Sequence, residues 1–287
     1  MTVAAAHEIK TGHSSPARKR RDLTVRRRTP LVTLLPALIG LAYLVLPLAG
    51  LVIRAPWATL PERLVAPEVL MALWLSVQTA TIATIACLFL GVPLAWLLAR
   101  SSFRGRQLVR ALVTVPMVLP PVVGGVALLL VFGRRGIVGS WLDSAFRITL
   151  PFSTAAVVMA QVFVALPFLV IAVEGTLRGA DTRYEEAASS LGASRWTTFR
   201  RVTLPLIAPG VAAGAVLSWA RALGEFGATI TFAGNFPGRT QTMPVAVYLA
   251  LETDVDAAIV LSLVLLVVAV GILASLRERW LSSGATA

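Results

Sequence analysis

Long apolar runs are the feature that most restricts how this chain can fold. Six of them follow a polar, basic segment, and the fourth is the shortest. They occupy Leu31–Ile53 and roughly 70–98, 108–132, 154–173, 204–232 and 257–276. Each reaches or approaches the roughly 20 residues that a helix needs to cross a bilayer. Only 14% of the residues are charged, whereas soluble domains average about 25%. We therefore predict an all-α integral membrane protein with six transmembrane helices.

The basic residues predict how these helices are oriented. Nineteen Lys and Arg residues lie in the segments that six spans would place on the side of the termini, and six lie in the loops of the other side. Positive residues concentrate in the cytoplasmic loops of membrane proteins. We expect both termini and the loop 174–203 to be cytoplasmic.

The chain divides into a basic tail, residues 1–29, and a transmembrane domain, residues 30–280. The tail is expected to lie on anionic membrane lipid. The net charge of +12 does not indicate a nucleic-acid partner, because the basic residues cluster between apolar runs rather than on one soluble face.

No pattern in the sequence is typical of an enzyme or a metal site. A P-loop needs a lysine directly after a glycine, and neither Lys10 nor Lys19 has that position. The HExxH and GxSxG motifs are absent. Cys87 is the single cysteine, and His7 and His13 lie in the tail. We predict no catalytic residue, no metal site and no ATP site in this chain.

Residues 184–209 form a polar stretch that predicts a helix, a glycine turn and a second helix lying against the membrane. Thr182 and Glu185 fit a capping box. One apolar face recurs at helical spacing over Tyr184, Ala187, Ala188 and Leu191.

The second half of this stretch carries the signals of a turn and a new helix. Gly192 stands where a helix favours a left-handed C-terminal residue. Ser194 is placed to cap the second helix, and Pro205 is expected to limit it. One side of the second helix would carry Trp196, Phe199 and Val202.

Pattern alone leaves two interpretations of this element open. It could be an amphipathic helix that covers the ends of the spans. It could instead be a docking element in which Glu185 and Glu186 face a cytoplasmic partner.

The third apolar run contains Pro120, Pro121 and Gly124 within a stretch rich in proline and glycine. Proline removes a backbone donor and glycine allows close approach. The segment predicts either a kinked helix packed through glycine or a broken helix that lines a pathway.

The fifth run contains Arg221 and Glu225, which share one helix face at a spacing of four residues. Arg221 lies about 25 Å along the axis from Leu204, in the outer part of the membrane. Ionisable residues at such depth face a bundle interior or water. The pair is either a structural ion pair or a site where Arg221 helps an anion through, with Gly224 letting the helix bend.

The spacing of the polar stretch resembles the EAA loop of bacterial ABC-importer permeases. Glu186-Ala187-Ala188 is followed after three residues by Gly192, and Val202-Thr203-Leu204-Pro205 follows nine residues later. The resemblance implies a coupling helix that fits a groove on a separate ATPase subunit. The candidate coupling residues are Glu185, Glu186, Ala187, Ala188 and Gly192.

Two further segments are similar to the molybdate branch of these permeases. They are residues 119–125 and 221–232, within a motif-bearing core of about residues 70–280. The sulfate branch is similar around residues 224–227. The resemblance implies pathway residues among Arg221, Gly224, Glu225, Pro120, Pro121 and Gly124.

The resemblance also implies the partners. Two copies of the chain would form the pathway in a bacterial inner membrane, two ATPase subunits would bind ATP and Mg, and an extracytoplasmic molybdate-binding protein would deliver the oxyanion. The arginines Arg134, Arg135 and Arg239 would add positive potential at the entrance, unless they form only a solvated rim.

Alternatives remain open at this point. Sulfate, thiosulfate or tungstate could replace molybdate. An ion-coupled secondary transporter would need ionisable groups near the midplane and often an internal repeat, and a scaffold protein would need no coupling loop.

Overall fold

The computed structural model describes residues 31–283, and every regular element within them is helical. The predicted tail 1–29 lies outside the described residues. The elements in chain order are α1 (Leu31–Ile53), α2 (Leu60–Leu64), α3 (Pro67–Arg100), α4 (Arg106–Val118), α5 (Pro121–Phe132), α6 (Ile137–Phe146), α7 (Thr154–Gly179), α8 (Arg183–Ser190), α9 (Arg195–Thr198), a π-helical turn (Phe199–Thr203), α10 (Leu204–Leu223), α11 (Gly227–Phe232), α12 (Met243–Thr253) and α13 (Val255–Ser283).

Five helical segments within the described residues are long and apolar enough to cross a membrane. A sixth span results if the bent pair α4 and α5 is counted as one. The prediction of an all-α chain is confirmed, and the predicted number of six apolar spans is confirmed when this bent pair is counted as one span. Among the described residues, 31–48, which make up most of α1, form a unit of their own, and the description below concerns residues 49–283.

Helix α7 is the centre of this bundle. It packs against α3 and α10, and buried small and aliphatic residues such as Ala83, Ala165 and Leu169 fill the contact. The helices approach closely at Gly210, where a Cβ would collide with the Thr176 hydroxyl oxygen. The fourth run, predicted as the shortest span, is therefore the most enclosed, and its helix continues six residues beyond residue 173.

The third run is not one straight span. Helices α4 and α5 meet at an angle of 116°, and the break lies at Leu119 and Pro120, whose ψ angles are both 133°. A proline pushes the residue before it out of the helical region, so consecutive prolines end α4 and let Pro121 begin α5. The structure thus contains the broken helix rather than a kinked one.

The fifth run ends earlier than predicted. Helix α10 stops at Leu223, and α11 begins at Gly227 after a short break that contains Gly224 and Glu225. The short helices α6 and α12 were not predicted, because ten or eleven residues of mixed polarity give no distinct span signal.

Candidate functional site

The polar loop after α7 has the predicted helix, turn and helix. Helix α8 is followed by Gly192 at φ +82°, the left-handed conformation that favours glycine at a helix C-terminus. The Ser194 hydroxyl oxygen then accepts a hydrogen bond of 3.2 Å from the Thr197 backbone N–H. These two signals correctly gave the turn and the start of α9.

The predicted capping box at the start of α8 is wrong. The Thr182 side chain makes no capping hydrogen bond. The carboxylate of Asp181 accepts instead from the backbone N–H of Arg183 at 3.0 Å and lies 2.7 Å from its guanidinium. The hydrogen bonds from Arg183 hold the pKa of the Asp181 carboxyl below its usual value.

Glu185 is half-buried, and its carboxylate contacts two other parts of the chain, while its part in docking stays a prediction. Its Oε1 lies 3.2 Å from Nη2 of Arg100 and accepts a hydrogen bond of 3.0 Å from the Thr203 hydroxyl. Arg100 ends α3 and Thr203 ends the π-helical turn. Glu185 therefore connects α8 to both neighbouring membrane helices.

The outward face of α8 is exposed in the part of the chain that the structure describes. Tyr184 is 60% exposed and Leu191 is 89% exposed. Glu186 and Ala187 are exposed between them, and the Glu186 carboxylate makes no hydrogen bond or ion pair with a described residue. The apolar face predicted for this helix thus lies in the open, and only Ala188 is half-buried.

The expectation that Pro205 limits the second helix is wrong. The helical chain runs without a gap from Arg195 to Leu223, and the wider π-helical turn Phe199–Thr203 directly precedes the proline. Proline cannot donate to the preceding turn and its ring crowds the carbonyl there. A widened turn relieves that crowding, so α9 continues into α10 as one helical segment.

Arg221 and Glu225 meet at the break between α10 and α11. Nη2 of Arg221 lies 2.6 Å from Oε2 of Glu225, whose side chain is only 1% exposed. The other oxygen, Oε1, accepts a hydrogen bond of 2.8 Å from the Ala228 backbone N–H. Glu225 thus stabilises the N-terminus of α11, while Arg221 remains 28% exposed.

The two segments that resemble the molybdate branch pack against each other. A Cβ on Gly125 would stand 2.9 Å from the Ala228 carbonyl oxygen, and one on Gly227 would stand 2.8 Å from Cβ of Pro121. Gly124 is in turn covered by the ring of Phe163. Helix α5 therefore supports the break that carries Glu225.

The sequence matches a known family model over most of its length. Residues 91–286 match the model described as the binding-protein-dependent transport system inner membrane component. The chain belongs to this permease family. It is an ABC-importer permease of the bacterial inner-membrane type, with several membrane-spanning helices.

Individual proteins resemble this permease over most of their length. It is 52% identical to the molybdenum transport system permease protein ModB of Mycobacterium tuberculosis over 82% of this chain and 89% of that protein. It is 41% identical to ModB of Escherichia coli over 74% and 92% of the two chains. A crystal structure of a bacterial ABC transporter involved in alginate import has the same fold, with a TM-score of 0.70 at 18% identity over 90% and 96% of the chains.

Sequence reasoning missed a second ion-pair cluster in the permease. Oε1 of Glu174, near the end of α7, lies 2.6 Å from a guanidinium nitrogen of Arg110 and 2.8 Å from one of Arg178. The signal was present, since Glu174 is an acid at the end of an apolar run beside a loop rich in arginine.

The end of the permease opposite α8 carries the other arginines singled out in the sequence. Arg134 and Arg135 are exposed and line an open cavity of about 530 Å³ together with Thr149 and Phe152. Arg239 is exposed and has no ion-pair partner among residues 31–283. These described residues contain no group of three or more His, Cys, Asp and Glu side chains that could hold a metal ion.

Proposed function

We propose that this permease forms the pathway of an ATP-driven importer of molybdate. The names of its relatives support the choice of oxyanion. The observation that carries the ATP-driven mechanism is the arrangement of α8. Its outward face is exposed, and the Glu185 side chain links the helix to Arg100 and Thr203. In this proposal the chain itself binds no cofactor, and ATP and Mg are bound by two separate ATPase subunits.

The coupling mechanism follows from the two glutamates of α8. Glu186, Ala187 and the neighbouring apolar residues enter a groove on the ATPase subunit. Glu185 transmits displacement of α8 to α3 through Arg100 and to α10 through Thr203. Gly192 sets the angle between α8 and α9, and the unbroken helical connection at the π-helical turn prevents the motion from being absorbed locally.

This mechanism places the α8 end and both termini in the cytoplasm. The opposite end, with α6 and α12, then faces an extracytoplasmic binding protein. Two copies of the permease enclose the pathway, with Arg134, Arg135 and Arg239 near its entrance. This arrangement is compatible with the structural comparison. A chain with the same fold occurs in a bacterial alginate ABC transporter whose structure was solved in complex with a periplasmic protein.

We place the pathway along the break between α10 and α11. Arg221 is partly exposed there and supplies positive charge, while Glu225 holds the guanidinium and limits how tightly an anion is bound. Pro120, Pro121 and Gly124 provide the bent wall of α5 against which the break rests, and Gly224 supplies its flexibility.

The substrate is tested by uptake of radiolabelled molybdate into vesicles that contain the permease with its ATPase subunits and binding protein. We expect ATP-dependent uptake that excess sulfate reduces by less than twofold. Equal competition by sulfate would indicate a sulfate permease. Uptake driven by an ion gradient without ATP would contradict the importer mechanism altogether.

A further inference from the structure

One carboxylate oxygen near the end of α7 holds two arginines that belong to different helices. Oε1 of Glu174 accepts hydrogen bonds from Nε and Nη2 of Arg110 at 3.1 and 2.6 Å, and from Nη2 of Arg178 at 2.8 Å. Glu174 is only 7% exposed, and charge-assisted hydrogen bonds are strong where little water competes. Arg178 belongs to α7 itself, whereas Arg110 belongs to α4. The acid therefore joins α7 to α4.

Helix α4 is otherwise weakly attached to the bundle. None of its residues is buried. Its half-buried Val109 and Val113 pack against the apolar core around α7, while Leu108 and Leu112 remain exposed. A segment with few buried apolar contacts separates from its neighbours at low cost. The bonds from Arg110 to α7 are therefore a principal attachment of this helix.

The chain beyond α4 leads directly to the proposed pathway. Leu119 and Pro120 form the break of 116° between α4 and α5. Successive prolines fix their own φ angles and restrict the residue before them, so the break is stiff and α4 and α5 turn together. At the start of α5, Pro121 lies against Gly227, two residues after Glu225. A displacement of α4 therefore reaches the break between α10 and α11.

The acid also lies just ahead of α8 in the chain. Glu174 is in the last two turns of α7, which ends at Gly179, and α8 begins at Arg183. A displacement of α8 thus reaches the end of α7 through a connection of three residues. This route is separate from the one through Glu185, which leads to α3 and α10.

We propose that Glu174 is a positioning residue for transport, which carries the displacement of α8 to the pathway by holding α4 through Arg110. This inference rests on the proposed function, in which α8 receives that displacement from the ATPase. When α8 moves, the end of α7 moves Glu174, the ion pair draws α4 with it, and the stiff break moves α5 against α11. Arg178 orients the carboxylate from within α7. Without the pair to Arg110, the ATPase still docks and hydrolyses ATP, but α5 does not follow.

The test measures molybdate uptake and ATP hydrolysis in the same vesicles, which contain the permease with its ATPase subunits and binding protein. In Arg110→Gln the amount of molybdate taken up per ATP hydrolysed should fall about fivefold or more, which is the lower limit of typical coupling between distant sites. Co-purification of the ATPase should not change. Because the ratio compares two rates in one preparation, a smaller amount of folded complex does not alter it.

Glu174→Leu should lower the same ratio to a similar extent, since it removes the acceptor from the other side of the pair. The double variant Arg110→Gln/Glu174→Leu should lose no more than either single variant, because effects within one interaction are not additive. Arg110→Lys keeps a cation at this position and should restore most of the ratio.

Arg178→Gln is the matched control. It makes the same replacement at a partner of the same carboxylate oxygen, but the pair that it breaks lies within α7. The ratio should stay within about twofold of the unaltered complex, because an i,i+4 pair with an exposed member contributes little. Equal falls in Arg178→Gln and Arg110→Gln would assign the effect to the charge around Glu174 and overturn the link through α4. An unchanged ratio in Arg110→Gln, or loss of the ATPase from it, would also overturn the inference.

The proposed function and this inference fail in different ways. Uptake of sulfate in place of molybdate by the unaltered complex would refute the proposed substrate, and the ratio measured with sulfate would then decide the role of Glu174. Hydrolysis of ATP without uptake of either oxyanion by the unaltered complex would refute both.

Discussion

Glu186→Lys should abolish transport and lower co-purification of the ATPase subunit at least tenfold, while the permease remains in the membrane in normal amount. The carboxylate of Glu186 makes no hydrogen bond or ion pair with a described residue and acts on Arg183 only through its charge, so its replacement breaks no internal hydrogen bond. At a docked surface a reversed charge costs several kcal/mol when it meets like charge. Pull-down of the ATPase from solubilised membranes, together with molybdate uptake, measures both effects.

Two further variants show whether the effect is specific. Glu62→Lys makes the same charge change at an exposed position on the opposite end and should retain the ATPase. Gly192→Val should lose it, because φ is +82° there and the left-handed region costs a side-chain-bearing residue about 1–2 kcal/mol. Normal co-purification and normal uptake in Glu186→Lys would contradict the role of α8.

Arg221→Ala should reduce uptake at least tenfold and also lower the amount of folded permease. It leaves Glu225, which is 1% exposed, without its cation. Removing one partner of a buried ion pair costs about 3–5 kcal/mol, and we expect the lower end because Arg221 is 28% exposed. The measurements are uptake per permease molecule and the thermal stability of the purified complex.

The double variant Arg221→Ala/Glu225→Gln separates the structural role from the role in transport. It removes both charges and keeps an acceptor for the Ala228 N–H, so stability should return to within about 1 kcal/mol of the unaltered protein, the size of one ordinary hydrogen bond. Uptake should remain at least tenfold reduced if Arg221 acts on the anion. Normal uptake in the double variant would mean that the pair serves only to fix the break between α10 and α11.

The sequence predicted the parts of this permease that depend on local chemistry. Apolar length gave the spans, Gly192 and Ser194 gave the turn and the cap, and the spacing of Arg221 and Glu225 gave their contact. Each of these features depends on residues that lie close to one another in the sequence. The extent of α7 was underestimated because its last turns carry Glu174 and Arg178, which neutralise each other only in the folded helix.

What the sequence could not give depends on contacts between distant segments. The direction of the Glu185 side chain is decided by Arg100 and Thr203, which are 85 and 18 residues away. The packing of Gly125 against Ala228 likewise joins residues of two separate apolar runs. Helical periodicity places such residues on a face but does not say which neighbour covers that face.

The most direct test of the central claim is the accessibility of a cysteine on the outer face of α8. Ala187→Cys would provide an exposed thiol, because the natural Cys87 is buried in α3. Ile137→Cys is the control, since this residue is 83% exposed in α6, before the start of α7, whereas α8 follows its end. In intact cells a membrane-impermeant maleimide should label the cysteine at position 137 and leave the cysteine at position 187 unlabelled. In inverted vesicles the ATPase subunits should protect the cysteine at position 187 from labelling until these subunits are removed. Labelling of 187 in intact cells would place α8 outside the cell and contradict its role in coupling to an ATPase.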